Sequence, residues 1–207
     1  MRFLRRPQAG SRSIAVFCGA FHPPTVAHLA LAEAARKRVD EVLWVMPETF
    51  PHKQYDRVTL LQRLQLVLEA SSDPVAVASE SLFFSIAAEA EAALSECRVQ
   101  LLIGEDGVKR IVEWDYGLNA GEQALYLEDN FRKYPLLSSR REEVWELPKM
   151  LQSFVEWLPM DGTHSSISST SVRQRIVEGQ EWSELVPGSI RKKVAEFYSS
   201  PGKTANQ

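Results

Sequence analysis

The chain has little of what several large function classes require. Its 207 residues contain only two cysteines, Cys18 and Cys97. They form no Cys-x-x-Cys pair, neither lies near a His ligand pattern, and no His/Cys cluster has zinc spacing. Each stands in or beside an apolar run, where cysteine usually serves as a small buried hydrophobe. A reduced intracellular protein without disulfides is the expectation. No apolar run approaches the ~20 residues of a membrane span, and residues 1–10 carry charge without the apolar centre of a secretion signal. We therefore expect a cytoplasmic protein with no membrane partner. Basic excess is lacking too. The net charge is −3, without the basic stripe of general nucleic-acid binding, so no nucleic-acid partner is expected. No G-x-x-x-x-G-K-[ST] occurs, which excludes a P-loop kinase, and no G-x-G-x-x-G follows a strand, which argues against a hydride-transfer enzyme. Repeats and low-complexity segments are absent.

What is present is a sequence 44% hydrophobic, enough to bury one good core. Strand and helix signals alternate along it. Ile14–Cys18, Glu41–Met46, Val75–Ala78, Arg98–Ile103, Ala124–Glu128 and Phe154–Leu158 read as strands. Val26–Val39, Val58–Ala70, Phe84–Leu94, residues 107–114, Thr170–Glu178 and Ser189–Tyr198 read as helices. Such alternation predicts an α/β protein: a doubly wound, Rossmann-like parallel sheet with helices on both faces and a small C-terminal helical piece. The expected organisation is a flexible N-terminus over residues 1–13, a single domain over 14–198 with a helical subregion at 167–198, and a disordered tail at 199–207. Residues 129–150, charged and containing Pro135 and Pro148, read as irregular.

Two segments carry chemistry. In Gly19-Ala-Phe-His-Pro-Pro-Thr-Val-Ala-His28 a strand stops at a glycine, two prolines stiffen the loop, and a helix starts beside His28. That arrangement offers backbone N–H groups and a positive helix end to phosphate. Thr25 and His28, three apart, share a face at the helix entrance, where the imidazole can donate to a phosphate oxygen. Far down the chain, Ile167-Ser-Ser-Thr-Ser-Val-Arg173 sets hydroxyls at a helix start and a guanidinium one turn further on, a second anion site. Ligands of doubly wound sheets collect outside the carboxyl ends of the strands, so the loops at Gly19, Pro51 and Gly104 should face one crevice.

Together the two segments resemble the paired signature of the nucleotidylyltransferase superfamily, an H/T-x-G-H box with an I-S-S-T-x-x-R box. The continuation Ile176-Val-Glu-Gly179 and Leu185-Val-Pro187 is similar to the nicotinate-mononucleotide adenylyltransferase branch, and the resemblance spans roughly residues 14–198. It implies ATP and phosphate binding by Gly19, Ala20, Phe21, Thr25, His28, Ile167, Ser168, Ser169, Thr170 and Arg173. Gly104-Glu-Asp106 matches a G-x-D pattern in which Asp106 accepts from ribose hydroxyls, and Trp114 resembles a tryptophan that stacks on a pyridine ring. Lys53, in Pro51-His-Lys53, resembles the acceptor-side loop and would reach developing charge, which places it with His28 and Arg173 as a catalytic candidate. His22 stands where the family more often has Asp or Asn, either as a second phosphate donor or as a loop residue. Ala27 replaces the more usual glycine. The family's arginine motif after a later strand is not placed in this chain.

The implied reaction is transfer of AMP from ATP to the phosphate of a mononucleotide, nicotinate mononucleotide first, with pyrophosphate released, in NAD biosynthesis. Nicotinamide mononucleotide and phosphopantetheine are the other acceptors. The expected partners are these small molecules, with Mg²⁺ as cofactor, bridged by phosphates rather than held by a protein metal site. A non-catalytic nucleotide-binding regulator and a nucleotide hydrolase remain as readings of other classes.

Overall fold

The computed structural model describes residues 1–49, 58–140 and 145–199. Seven strands form one sheet: β1 (Arg2–Arg5), β2 (Ser13–Cys18), β3 (Glu41–Pro47), β4 (Val75–Ala78), β5 (Arg98–Gly104), β6 (Leu136–Ser139) and β7 (Val155–Trp157), in the order β1-β4-β3-β2-β5-β6-β7. All neighbours run parallel except β1, which pairs antiparallel with β4. The parallel part is thus wound outward in two directions from β2, and its order reverses between β2 and β5.

Helices cover both faces because successive strand residues point to opposite sides and both sets are apolar. On one face Ile14, Val16, Leu43 and Val45 join α3 (Phe83–Ala93), α4 (Glu105–Glu113) and α5 (Ala120–Lys133). On the other, Ala15, Phe17, Val42 and Trp44 join α1 (Val26–Ala35) and α2 (Leu60–Ala70). A third, smaller cluster gathers Leu66 of α2, Val172 of α6 (Ser169–Val177), Val186, Ile190 and Val194 of α7 (Arg191–Ser199). This is the C-terminal helical piece, seated on the back of α2.

Three expectations are corrected. The N-terminus is not frayed over its first residues: Arg2–Arg5 form β1, and Arg5 donates to the carbonyls of Ser71 (2.7 Å), Asp73 (2.9 Å) and Leu68 (3.2 Å). Ala124–Glu128 is not a strand but the middle of α5, whose Asn119 cap accepts from the N–H groups of Gly121 and Glu122 while Glu122 reaches back. Its buried pair Leu127 and Phe131 are four apart, the helical spacing. The segment 129–150 is also more regular than expected, holding the end of α5, all of β6 and the start of a 3₁₀ turn at Lys149–Phe154. Both cysteines are free thiols, and burial pushes the Cys18 pKa far up. Among the described residues no helix is long and apolar enough to cross a membrane.

Candidate functional site

A cleft of about 260 Å³ opens at the carboxyl ends of β2 and β5, where the strand order reverses. Its floor is the exit of β2, from Phe17 through Phe21. One wall is the start of α1, with Thr25, Ala27 and His28, and the opposite wall is the turn from β5 into α4, with Gly104, Asp106, Gly107 and Arg110. The rim is closed by Ser139 and Arg140 after β6 and by the segment from His164 to Ser169.

The loop after β2 is built around an aromatic wedge. Phe21, at φ 44°, turns its ring back beneath the loop, 2% exposed, against Phe17 (5.1 Å between centroids), Trp44 (4.7 Å) and His28 (5.3 Å). Burying such a ring contributes ~1.5–3 kcal/mol. The fold explains Gly19 as well, since a Cβ there would lie 2.9 Å from the Phe21 ring. Phe21 therefore shapes the site from below and also lines the cleft.

Thr25 caps α1 and is fully buried. Its hydroxyl accepts from the His28 N–H at 3.4 Å, and the Thr25 N–H donates to His28 Nδ1 at 3.0 Å. A main-chain N–H can only donate, so Nδ1 accepts, and in the neutral ring the proton sits on Nε2. His28 thus enters the cleft as a donor whose tautomer is fixed by its own helix cap. The helix adds the positive end of its dipole at the same place.

The second box is docked directly on the first. Ser169 Oγ donates to the Pro23 carbonyl at 2.8 Å, and Arg173 donates to the His22 carbonyl at 2.6 Å and to Thr170 Oγ1 at 3.2 Å. Ser168 caps α6 by accepting from the Ser171 N–H at 3.0 Å. The two segments, 146 positions apart at the Ser169–Pro23 bond, therefore meet at one site.

The expected site residues divide as follows. Gly19, Ala20, Phe21, Thr25, His28, Ile167, Ser168, Ser169, Gly104 and Asp106 line the cleft. Thr170 and Arg173 sit just behind it, where Arg173 holds the loop carbonyl. Trp114 lies in an adjoining recess with Phe83, Phe84, Tyr116 and Tyr126. Lys53 and the rest of the Pro51 loop lie outside the described residues. His22, 8% exposed, is turned away from the cleft and packs on Tyr198 at 5.1 Å, which favours the loop-residue reading over a phosphate donor. Asp106 stands in the first turn of α4, which Gly104 caps.

Three arginines were not singled out by the sequence. Arg63, on α2 and 3% exposed, donates to the Ala20 carbonyl at 3.0 Å, so a buried guanidinium holds the loop after β2. Its signal was its place on the apolar face with Leu64 and Val67. Arg140 follows β6 directly, lines the rim of the cleft and lies over the Trp157 ring at 4.3 Å. Arg110 lines both the cleft and the recess.

Residues 16–175 match the family model described as cytidylyltransferase-like. A relative from Exiguobacterium sibiricum named probable nicotinate-nucleotide adenylyltransferase is 26% identical over 195 residues, covering 89% of this chain and 96% of its own. One of the same name from Gloeobacter violaceus is 28% identical over 192 residues, covering 86% and 90%. Among solved structures, nicotinic acid mononucleotide adenylyltransferase from Plasmodium falciparum, complexed with NaAD, superposes with a TM-score of 0.66 at 14% identity, covering 90% of this chain and 96% of that one. At that identity the likeness speaks for the fold.

Proposed function

From the premise that the chain belongs to the cytidylyltransferase-like family, we propose that it transfers AMP from ATP to the phosphate of nicotinate mononucleotide, releasing pyrophosphate, a step of NAD biosynthesis. The names of its relatives support the acceptor. The single observation that carries the reaction type is the His28 imidazole, held through Nδ1 by the Thr25 N–H, in a cleft whose rim includes the docked Ser168–Ser169 helix start.

An oxygen of the acceptor phosphate attacks the α-phosphorus of ATP. The bond from that phosphorus to the β-phosphate oxygen breaks, and pyrophosphate leaves with its electron pair. The acceptor is already an anion at neutral pH, so no residue has to deprotonate it. The protein's work is to align two mutually repelling anions and to stabilise charge as it develops. His28 donates to an oxygen of the α-phosphate, beside the N–H groups of α1. The N–H groups at the start of α6, beside the Ser168 hydroxyl, hold the β/γ end, while the Ser169 hydroxyl, its proton given to the Pro23 carbonyl, ties that helix start to the first loop. Arg173 has donors beyond the two that grip His22 and Thr170, and these extend to the triphosphate. Asp106 accepts from a ribose hydroxyl.

Mg²⁺ fits this donor set as a cation carried in on ATP. Among the described residues no group of three His, Cys, Asp or Glu could hold a metal, and Asp106 is the one carboxylate lining the cleft. Few protein ligands, phosphate oxygens and retained waters are the coordination Mg²⁺ favours. Once bound it neutralises phosphate charge.

The test is pyrophosphate release from ATP and Mg²⁺ with nicotinate mononucleotide, nicotinamide mononucleotide, phosphopantetheine or no acceptor. Release dependent on nicotinate mononucleotide is expected. Release without an acceptor would make the protein a hydrolase, and ATP binding without release for any acceptor would make it a regulator.

A further inference from the structure

The loop after β2 is held by three of its carbonyls. Arg63 of α2 donates to that of Ala20 at 3.0 Å, Arg173 of α6 to that of His22 at 2.6 Å, and Ser169 to that of Pro23 at 2.8 Å. The three holds are not equivalent. The His22 and Pro23 carbonyls belong to peptides whose nitrogens are those of Pro23 and Pro24, so neither peptide has an N–H to aim. The Ala20 carbonyl belongs to the Ala20–Phe21 peptide, which is trans. Its N–H lies in the peptide plane on the side opposite the carbonyl. A carbonyl held toward α2 therefore aims the Phe21 N–H away from α2. Ala20 and Phe21 both line the cleft, and no residue of α2 does. The Gly19 N–H is already given to the Val45 carbonyl at 3.1 Å. Among the described residues no bond takes the N–H of Phe21.

Two features mark this peptide as one that needs holding. Phe21 sits at φ 44°, a region costly for a bulky side chain and kept only where the surroundings fix it. Arg63 is 3% exposed, and arginine is seldom buried so far because its charge loses water. Here α2 commits such a group to a loop carbonyl. We infer that Arg63 is a positioning residue for the reaction: it turns the Ala20–Phe21 peptide so that the Phe21 N–H donates to a phosphate oxygen in the cleft. The inference rests on the proposed adenylyl transfer and adds the side chain that sets one of its donors. The Phe21 ring lies 5.3 Å from that of His28, which puts the residue beside the imidazole. A donor aimed before the phosphate arrives stabilises developing charge without reorganising. The hold comes from a planar fork of fixed direction, which a lysine in its place would only partly supply.

The experiment reads that one peptide directly. Of the nine phenylalanines only Phe21 follows an alanine. Protein labelled with ¹³C at alanine carbonyls and ¹⁵N at phenylalanine therefore gives a single coupled amide signal by NMR. In the wild type this amide proton should move downfield on adding ATP with Mg²⁺ or nicotinate mononucleotide, according to which phosphate it meets. Arg63→Met keeps the side chain's reach without the fork. It should move the signal in the free protein, abolish its response, and lower kcat for pyrophosphate release about 100-fold, as a small misplacement at a reacting centre does. Arg63→Lys should restore part of both, and it carries the same comparison if circular dichroism shows Arg63→Met unfolded. Val67→Ala is the structural control: Val67 is fully buried on the same helix and does not line the cleft. It should lower the urea midpoint and leave signal and kcat as in the wild type. A wild-type response and kcat in the Arg63 variants overturn the inference. So does a fall in kcat that Val67→Ala shares at a matched midpoint, or a wild-type amide that answers neither nucleotide. Wild-type pyrophosphate release is read separately. Its absence with every acceptor, beside an intact amide response, would sink the transfer reaction while leaving the role of Arg63 standing.

Discussion

His28 asks two things of one ring. Nδ1 completes the capping box of α1, and in the proposed reaction the opposite nitrogen donates to the α-phosphate. The roles can be pulled apart, because the third helical position of a capping box is ordinarily filled by Glu or Gln. His28→Gln should keep the reciprocal bond to the Thr25 N–H, and with it the helix start, while losing the imidazole donor. Its pyrophosphate release should fall by roughly 10²–10³, with thermal unfolding close to wild type. His28→Ala should lose turnover to the same degree and also ~1 kcal/mol of stability through the missing cap. Equal turnover in Gln and wild type, with the fold verified by circular dichroism, would remove His28 from the reaction. At this scale the two boxes were legible because unusual residues recur at fixed spacing. Arg63 and Arg110 were not, because each is a single cation in a helix, and a sequence cannot say whether such a cation points at water, a loop carbonyl or a ligand.

Elements were legible where one period dominated. The buried strands β2 to β5 read clearly because short apolar runs are cut off by Gly, Pro or charge. In α5 the local alternation Ala124-Leu-Tyr-Leu127 imitates a strand, and Leu125 does lie exposed. The contest is settled by the Asn119 cap and by packing of Leu127 and Phe131, neither of which is visible in five residues. β1 was missed for a related reason: four residues with two arginines look solvated until α2 offers carbonyls to Arg5. Electrostatic ties between elements set the acid limit of the fold. Asp40 accepts from the N–H groups of Arg12 (2.8 Å) and Ser13 (2.9 Å), pinning the start of β2 to that of β3. Glu91 of α3 meets Lys133 (2.9 Å) and Tyr134 (2.8 Å) at the end of α5. Both carboxyls are held below their ordinary values, Asp40 by the Arg12 N–H first and Glu91 by Lys133 first. A group whose pKa is depressed by folding stabilises above its unfolded value and loses that contribution as pH falls through its folded one. Unfolding temperature should therefore be level above about pH 5 and fall below it. Asp40→Asn with Glu91→Gln should lower the plateau and flatten that acid limb. A limb as steep as wild type would show that other carboxyls govern it.

At the scale of the molecule, the alternation of strand and helix announced a doubly wound sheet, but not the order of its strands or the seat of its last two helices. That seat matters for ATP. The cluster of Leu66, Val172, Val186, Ile190 and Val194 joins α6 and α7 to the back of α2, and α2 in turn grips the loop after β2 through Arg63. The start of α6 is therefore held in place by side chains that do not line the cleft. Ile190 is fully buried there, and Ile190→Ala should cost ~2–5 kcal/mol through lost burial and the cavity left behind. If the cluster positions α6, the same change should raise the KM for ATP and leave the preference among acceptors untouched. Leu151→Ala makes a cavity of similar chemistry on the opposite face of the sheet, where Leu151 is 1% exposed. It should lower stability comparably without altering the KM for ATP. ATP at 100 times its Kd should return ~2.7 kcal/mol to each folded variant by mass action, so urea unfolding with and without nucleotide compares the two at equal saturation. A rise in KM shared by both would mean that general loosening, rather than the seat of α6, weakens the triphosphate clamp.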